Sequence, residues 1–527
     1  MIMGQPQTAV EMLSMTEEMD CMEKNLYLCK DNKLSVKMKV NRIPGILLFM
    51  ALLSASCLFQ GCGDPIPDEE QQKIDTDPDY AAKSFLRRQY MDVYYFWRDE
   101  VKDRNATLKP YDYNIYDFFD RMLYREDRWS WMCDKEEYIS DETGVISGTW
   151  GISLGQAYEY YNDYNLRVRY VWPGSPLERY GVTRGAQLTH INGVSVQEDE
   201  TGFTNEKLQY FQKNYYKSPQ NLTFRLKDGR DTTFTASMAQ SLSTRTSLIT
   251  RVFQPGDFPG LTEPVGYFLY MAFKANFLDD ITEAMTTFRS AGVKKLIVDL
   301  RYNGGGDSRA SQLLMDCLAP ADAVGKPYVV RKHNSYLASL DKSFSDEENT
   351  SIVKSNENAL RPDRIYFIVG PGSASASEMV INGLRPYMGD KLQMVGDTTY
   401  GKPNGMYVLM YPGSNDDYEA YLDGDFSKLQ WVFLPIAFFN QNSAGEAIPY
   451  DGFIPDKYRP DDVFHDFGVE EENIRACLTH MVSGTWPAIT RSSQAVSTKV
   501  TPKTGYRIDR EEDSPRYGLY KVLRGGF

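Results

Sequence analysis

The sequence predicts an α/β fold: a mixed-sheet core preceded by a helical segment and a small β domain. Three observations carry this. Val265 to Met271, Phe277 to Arg289 and Lys295 to Arg301 read as strand, helix and strand, and the second strand runs into Tyr302-Asn303-Gly304-Gly305-Gly306-Asp307. Ile365 to Val369 reads as a short buried strand and Met379 to Tyr387 as a helix, joined through Gly372-Ser373-Ala374-Ser375-Ala376-Ser377-Glu378. From about Gly144 to Met238 the pattern changes to short strands and turns. A β–α–β order with glycines at a strand's C-terminal end puts a site at the edge of a largely parallel sheet.

Composition narrows the chemistry. A chain of 527 residues, 42% of them hydrophobic, is long enough for several domains. A formal net charge of -14, with no long basic cluster, argues against a nucleic-acid partner. His190, His333, His465 and His480 lie far apart without metal-ligand spacing, so no metal is expected. The cysteines form no close pair, so no disulfide framework is expected.

Taken in order, the chain begins with an export signal. Lys37, Lys39 and Arg42 precede an apolar run, Ile43 to Phe59, that ends at Gly61-Cys62. A retained transmembrane helix is the competing reading. Leu58-Phe59-Gln60-Gly61 before Cys62 resembles a bacterial lipobox, with Cys57 a second candidate. Residues 1–61 are therefore expected to be a signal region, with translation starting at Met38 and lipidation at Cys62. Residues 62–80 would be a flexible tether between that lipid anchor, held in the membrane, and the rest of the chain. The expected location is the cell envelope, as an exported outer-membrane lipoprotein facing the periplasm or the cell surface. Residues 81–140 read as a helical domain. Phe85, Tyr90, Met91, Val93, Tyr94, Phe96 and Trp97 fit one amphipathic helix from Ala81 to Asp103, and a second runs from Ile115 to Tyr124. Their aromatic stripe calls for packing, not chemistry.

In residues 141–238, Pro173-Gly174-Ser175-Pro176, Gly181, Gly185-Ala186-Gln187-Leu188 and Ile191-Asn192-Gly193 form a series that resembles a PDZ domain of the bacterial protease type. Gly185-Ala186-Gln187 departs from the usual Gly-Asp. The resemblance implies that a peptide C-terminus docks as an added strand, with Gly151, Ile152, Ser153 and Leu154 as the loop that receives it.

Residues 239–485 hold the core. A serine at the 372–378 junction faces backbone N–H groups and the positive end of a helix, which suits a nucleophile. The same residue types also cap helices, and the local pattern leaves both readings open. Successive glycines at 304–306 let backbone N–H groups face an anion or oxyanion. A nucleotide loop is disfavoured, because neither GxxxxGK[ST] nor GxGxxG is present.

Asp299-Leu300-Arg301-x-Asn303-x-Gly305-Gly306, the 372–378 stretch, Tyr400-Gly401-Lys402 and Gly452-Phe453-Ile454-Pro455-Asp456 follow one another in an order that resembles the C-terminal processing peptidase family, peptidase family S41. With the PDZ-like region the resemblance covers most of residues 81–460. It implies a mixed-sheet peptidase core of ClpP/crotonase-like architecture and a serine-type peptidase with a Ser–Lys dyad, without cofactor or metal. Ser375 would be the nucleophile and Lys402 its base. The backbone N–H groups of Ala376 and of Gly305 or Gly306 would form the oxyanion hole, and Glu378, Asn303 and Ser377 would support them. A lysine can take the hydroxyl proton when burial lowers its pKa.

Spacing adds a rival. The family's serine-to-lysine interval matches Ser377 to Lys402, two residues shorter than Ser375 to Lys402. Ser375 is preferred for its place in the motif, with an insertion accommodated at Gly389-Asp390-Lys391. Where relatives have glutamine four residues after the lysine, this chain has Met406, with Asn404 nearby. The expected partners are polypeptides among exported proteins, recognised through their C-terminal tails. The alternative is a catalytically silent, PDZ-containing peptide-binding or scaffold lipoprotein. Residues 486–527, rich in Ser, Thr, Lys and Arg, read as a tail without chemistry.

Overall fold

The computed structural model describes residues 67–157, 163–199, 202–411 and 427–488. The signal region, Met38, Cys57 and Cys62 lie outside the described residues, as does the expected tail beyond 488. No helix among the described residues is long and apolar enough to cross a membrane. Residues 1–72 and 73–527 form two units. The stretch expected to be a flexible tether contains a helix, Asp68–Thr76, that buries none of its side chains. Three acidic residues in its first turn and Lys73 in its last complement the helix dipole, which a reading of composition alone overlooks.

The core is a six-stranded sheet. Its strands are β1 (Ser247–Phe253), β2 (Val265–Tyr270), β3 (Lys295–Asp299), β4 (Arg364–Val369), β5 (Leu392–Gly396) and β6 (Lys457–Tyr458), in that spatial order. Only β1 runs antiparallel to its neighbour; β2 through β6 are parallel. Side chains on successive residues point to opposite faces, and both faces are apolar. Phe268, Tyr270, Leu296, Val298, Ile365 and Phe367 meet helices α1 (Leu278–Ser290), α2 (Ser308–Leu318) and α3 (Ala376–Met388). Tyr267, Leu269, Ile297, Tyr366 and Ile368 meet α4 (Glu472–Ser483). Burying each such side chain contributes roughly 1.5–3 kcal/mol.

The single amphipathic helix expected from Ala81 to Asp103 is two helices, Tyr80–Phe85 and Arg98–Thr107, with a π-helical stretch Leu86–Met91 after the first. Tertiary hydrogen bonds break it. The Asn334 amide donates to the carbonyls of Val93 and Tyr95, and the Phe96 N–H donates to the Ile436 carbonyl. The aromatic stripe then packs with Ile115, Phe118, Phe119, Trp129, Phe433 and Ile436 in one cluster. The strands Leu409–Tyr411 and Trp431–Leu434 pair with each other and join Trp131–Asp134 in a separate sheet beside this helical module.

Residues 152–236 form their own antiparallel sheet around a core that includes Trp150, Leu166, Val168, Leu188, Phe211, Leu222 and Phe224. A short ribbon, Val145–Ile146 against Leu242–Ser243, joins this β domain to the rest. Arg184 adds a second link. Its buried guanidinium donates to the Tyr302 hydroxyl, the Asp461 carboxylate and the carbonyls of Arg169, Asp462 and His465.

Candidate active site

Three loops meet at the C-terminal ends of β3, β4 and β5. The first, residues 300–307, is tied to the second, 370–375, and to the first turn of α3 by three bonds. The Ser373 hydroxyl donates to the Leu300 carbonyl at 2.7 Å, the Ser377 hydroxyl to the Asn303 carbonyl at 2.9 Å, and the Ala374 N–H to that same carbonyl at 3.2 Å. The third loop, 397–403, joins through the Tyr400 N–H, which donates to the Ser373 carbonyl at 2.9 Å.

The three serines stand in different situations. Ser373 and Ser377 are fully buried, and both hydroxyls are committed to carbonyls of the first loop. Ser375 is only partly buried and sits at φ +54°, ψ -111°, at the N-terminus of α3. Such a backbone costs a non-glycine residue roughly 1–3 kcal/mol, and strain of this kind collects at functional sites. It is held by the Ser375 N–H, which donates to the Glu378 carboxylate at 3.0 Å. That bond also explains why α3 starts at Ala376, three residues before the expected start. The carboxylate at the helix's third position reaches back to the residue before the helix.

Glu378 is completely buried and gathers three more donors: the Thr399 hydroxyl at 2.6 Å, the Gly401 N–H at 2.8 Å and the Lys402 N–H at 2.8 Å. Burial pushes its carboxyl above the ordinary value, while the Thr399 hydroxyl and the three backbone N–H groups pull the other way. One oxygen, Oε2, accepts from Ser375 and Lys402 together, so the two backbones converge on a single atom. Lys402 is itself buried, 6% exposed.

Asn303 is fully buried between the loops. Its amide donates to the Tyr270 carbonyl, and its Oδ1 accepts from the Gly305 N–H at 2.9 Å. Gly305 is therefore the weaker of the two expected oxyanion donors, because its N–H is engaged. The N–H groups of Gly306 and Ala376 have no acceptor among the described residues. At Gly305 (φ +105°), an added Cβ would come within 2.8 Å of the Ser375 Cβ and 3.0 Å of the Ala376 nitrogen. Only glycine lets the loop approach the serine so closely.

Gly151, Ile152, Ser153 and Leu154 have other neighbours: Gly151 sits against Ser175 and Leu242, and the rest begin the first strand of the β domain. Met406 packs against the aromatic cluster of the helical module. Asn404 is 1% exposed, and neither atom of its amide is hydrogen-bonded. Sequence reasoning missed Thr399 and Arg128. Thr399 donates to Glu378 and accepts from the Phe453 N–H at 2.7 Å, joining the 452–456 element to the site. Arg128, from the helical module, donates to the carbonyls of Tyr450 and Gly401. The place of Thr399, just before Tyr400-Gly401-Lys402, was a usable signal; nothing around Arg128 was.

Residues 264–419 match Peptidase family S41. The chain is 25% identical over 234 residues to a carboxyl-terminal-processing peptidase of Arabidopsis thaliana chloroplasts, covering 44% of this chain and 41% of that one. It is 24% identical over 280 residues to a Staphylococcus aureus protein named as CtpA-like serine protease, covering 53% and 49%. The match thus spans about half the length of these relatives or less. Among solved structures, one from Bacteroides fragilis classed as an S41 protease superposes with a TM-score of 0.57 at 20% identity, covering 77% of this chain and 98% of that one, a likeness of fold. The chain carries, over residues 264–419, a domain of peptidase family S41.

Proposed function

We propose that this chain is a serine endopeptidase of the C-terminal processing type, with Ser375 as nucleophile and Lys402 as its base. One observation carries the reading. Of the three serines, only Ser375 is partly exposed, at a helix start, and its backbone shares a carboxylate oxygen with Lys402. In the reaction the Ser375 Oγ attacks the peptide carbonyl while its proton passes to the Lys402 amine. The N–H groups of Ala376 and Gly306 stabilise the developing oxyanion, an effect worth roughly 2.7–4 kcal/mol per donor. The C–N bond breaks as the Lys402 ammonium returns the proton to the leaving amine. Water then hydrolyses the acyl-enzyme, with Lys402 again as base.

The β domain, read as PDZ-like, receives the C-terminal tail of a polypeptide substrate at Gly151 to Leu154. Support comes from the strand Ile152–Ala157, which stands at the edge of its sheet and can accept an added strand. The chain is exported and held at the envelope by lipid on Cys62; acylation of that cysteine is read directly from the mass of the mature N-terminal peptide. Hydrolysis of a peptide with an apolar C-terminus tests the dyad. Ser375→Ala and Lys402→Met abolish turnover, while Ser377→Ala keeps a measurable rate. Loss in Ser377→Ala with retention in Ser375→Ala would overturn the assignment. A catalytically silent peptide-binding protein is the second reading, favoured by Met406 in place of a polar partner. It predicts tail binding without turnover by the wild type.

A further inference from the structure

We infer that Glu378 is a positioning residue for the reaction: an ionised carboxylate that fixes the nucleophile and the base relative to one another. This rests on the dyad reading above. The geometry is a four-point clamp. Oε1 accepts from the Thr399 hydroxyl and the Gly401 N–H, and Oε2 accepts from the Ser375 and Lys402 N–H groups. Three of the four partners are backbone N–H groups, which can only donate; the Thr399 hydroxyl alone could take a proton from the carboxyl, so the arrangement suits the ionised form, which only accepts.

The clamp spans elements that no strand pairing joins directly: the start of α3 and the loop after β5. It also extends outward. Thr399 receives the Phe453 N–H, and the Thr399 N–H donates to the Phe453 carbonyl at 3.1 Å, so the 452–456 element braces the same carboxylate. Ser375 keeps its left-handed φ only while its N–H is held. Releasing Glu378 frees Ser375 to relax and frees the 399–402 loop to shift. A displacement of about 1 Å in reacting groups can cost about 100-fold in rate. A second consequence is electrostatic. The Lys402 backbone nitrogen lies 2.8 Å from Glu378 Oε2, and a buried negative charge close to an amine favours its ammonium form.

The test uses the full chain with Glu378→Ala, Glu378→Gln and Glu378→Asp. Glu378→Ala should lower kcat by about 100-fold with KM held within about twofold, because geometry at the reacting atoms is lost and not peptide binding. Glu378→Gln keeps one acceptor oxygen and should fall between Ala and wild type; Glu378→Asp should recover part of the rate. Because removing the charge favours the neutral amine, the acid limb of the kcat/KM profile, where the base loses its proton, should move to lower pH in Glu378→Gln, which a merely structural role would not do. The same shift is read without turnover, from the NMR titration of Lys402 in 13C-lysine-labelled protein, assigned with Lys402→Arg. Near-ultraviolet circular dichroism checks folding of each variant. Equal titration of Lys402 in wild type and Glu378→Gln, or kcat within threefold of wild type in folded Glu378→Ala, would overturn the inference. Absence of hydrolysis by the wild type, with the Lys402 shift intact, would instead overturn the dyad reading and leave the clamp standing.

Discussion

Replacing Arg184 with alanine should loosen the β domain from the peptidase core. The Arg184 side chain is 4% exposed, and its guanidinium makes five hydrogen bonds, three to backbone carbonyls and two to side chains. It also stacks over Phe467, 4.1 Å from the ring centre. Truncation removes all of these and leaves Asp461 with fewer partners, though Arg301 at 3.0 Å and the Tyr302 hydroxyl at 2.7 Å remain. Breaking a buried pair from one side costs about 3–5 kcal/mol, and the retained partners put this case near about 3. With a urea slope of about 1–3 kcal/mol per molar, the unfolding midpoint of the β domain should fall by about 1–3 M. Hydrogen exchange over 152–236 resolves that domain from the rest. Arg184→Lys should recover only part, since an ammonium lacks the planar fork. The effect has a pH signature. Burial pushes the Asp461 carboxyl up, but Arg184, Arg301 and Arg169 outweigh it and hold it far below the usual carboxylate range. An acid depressed in the folded state adds stability above its unfolded value, near 3.9, and loses it as pH falls towards the folded one. The gap between wild type and Arg184→Ala should therefore narrow below about pH 4. An unchanged midpoint at neutral pH, or a gap that stays constant into acid, would refute the reasoning.

Further outcomes follow from single residues. Asn404→Leu should raise stability by about 1 kcal/mol in thermal melts, because two buried, unpartnered polar atoms give way to apolar ones, while turnover falls; destabilisation would mean that the amide is satisfied. Gly305→Ala should abolish peptide hydrolysis, since its Cβ meets Ser375, and should cost about 1–2 kcal/mol for the left-handed backbone, read by urea unfolding. His465 has its pKa raised, first through the hydrogen bond to Asp462 at 2.7 Å. A raised histidine adds stability that is full below its unfolded value near 6.5 and is lost as pH rises through the folded one. His465→Ala should thus cost more at pH 5 than at pH 9, within about 1 kcal/mol because the ring is 43% exposed.

What was legible in the sequence was local. The parallel strands announced themselves because residues such as Ile297, Val298, Tyr366 and Phe367 are apolar on both faces, and the glycine loop because nothing else places three glycines after a strand. The choice of Ser375 over Ser377 rested on motif position and could not have come from residue type. It is the depth of Ser377 and its bond to the Asn303 carbonyl, a contact across 74 residues, that separates them physically. The same holds for the broken helix after Tyr80. Helical periodicity was real, but Asn334 and Ile436, more than 200 residues away, claim the backbone groups that would have continued it. The preference between Gly305 and Gly306 was illegible for a subtler reason: the deciding acceptor is a side chain two residues earlier, whose rotamer is fixed by the Tyr270 carbonyl on another strand.

These long-range claims also explain why the site needs so much of the chain. Lys402 lies in a loop that no strand of the central sheet holds on both sides. Its position is set from within by Glu378, from below by Thr399 and the 452–456 element, and from the flank by Arg128 of the helical module. Gly401, at φ +82°, is where two of these restraints meet: an added Cβ there would overlap the Tyr450 carbonyl, to which Arg128 also donates. A base that must sit within hydrogen-bond reach of a hydroxyl tolerates little drift. A loop fixed from three sides meets that demand, and a loop fixed from one does not. On this argument the N-terminal helical module, which carries no chemistry of its own, is part of what keeps the lysine in place, and Arg128→Ala should lower kcat while leaving KM for a peptide substrate unchanged.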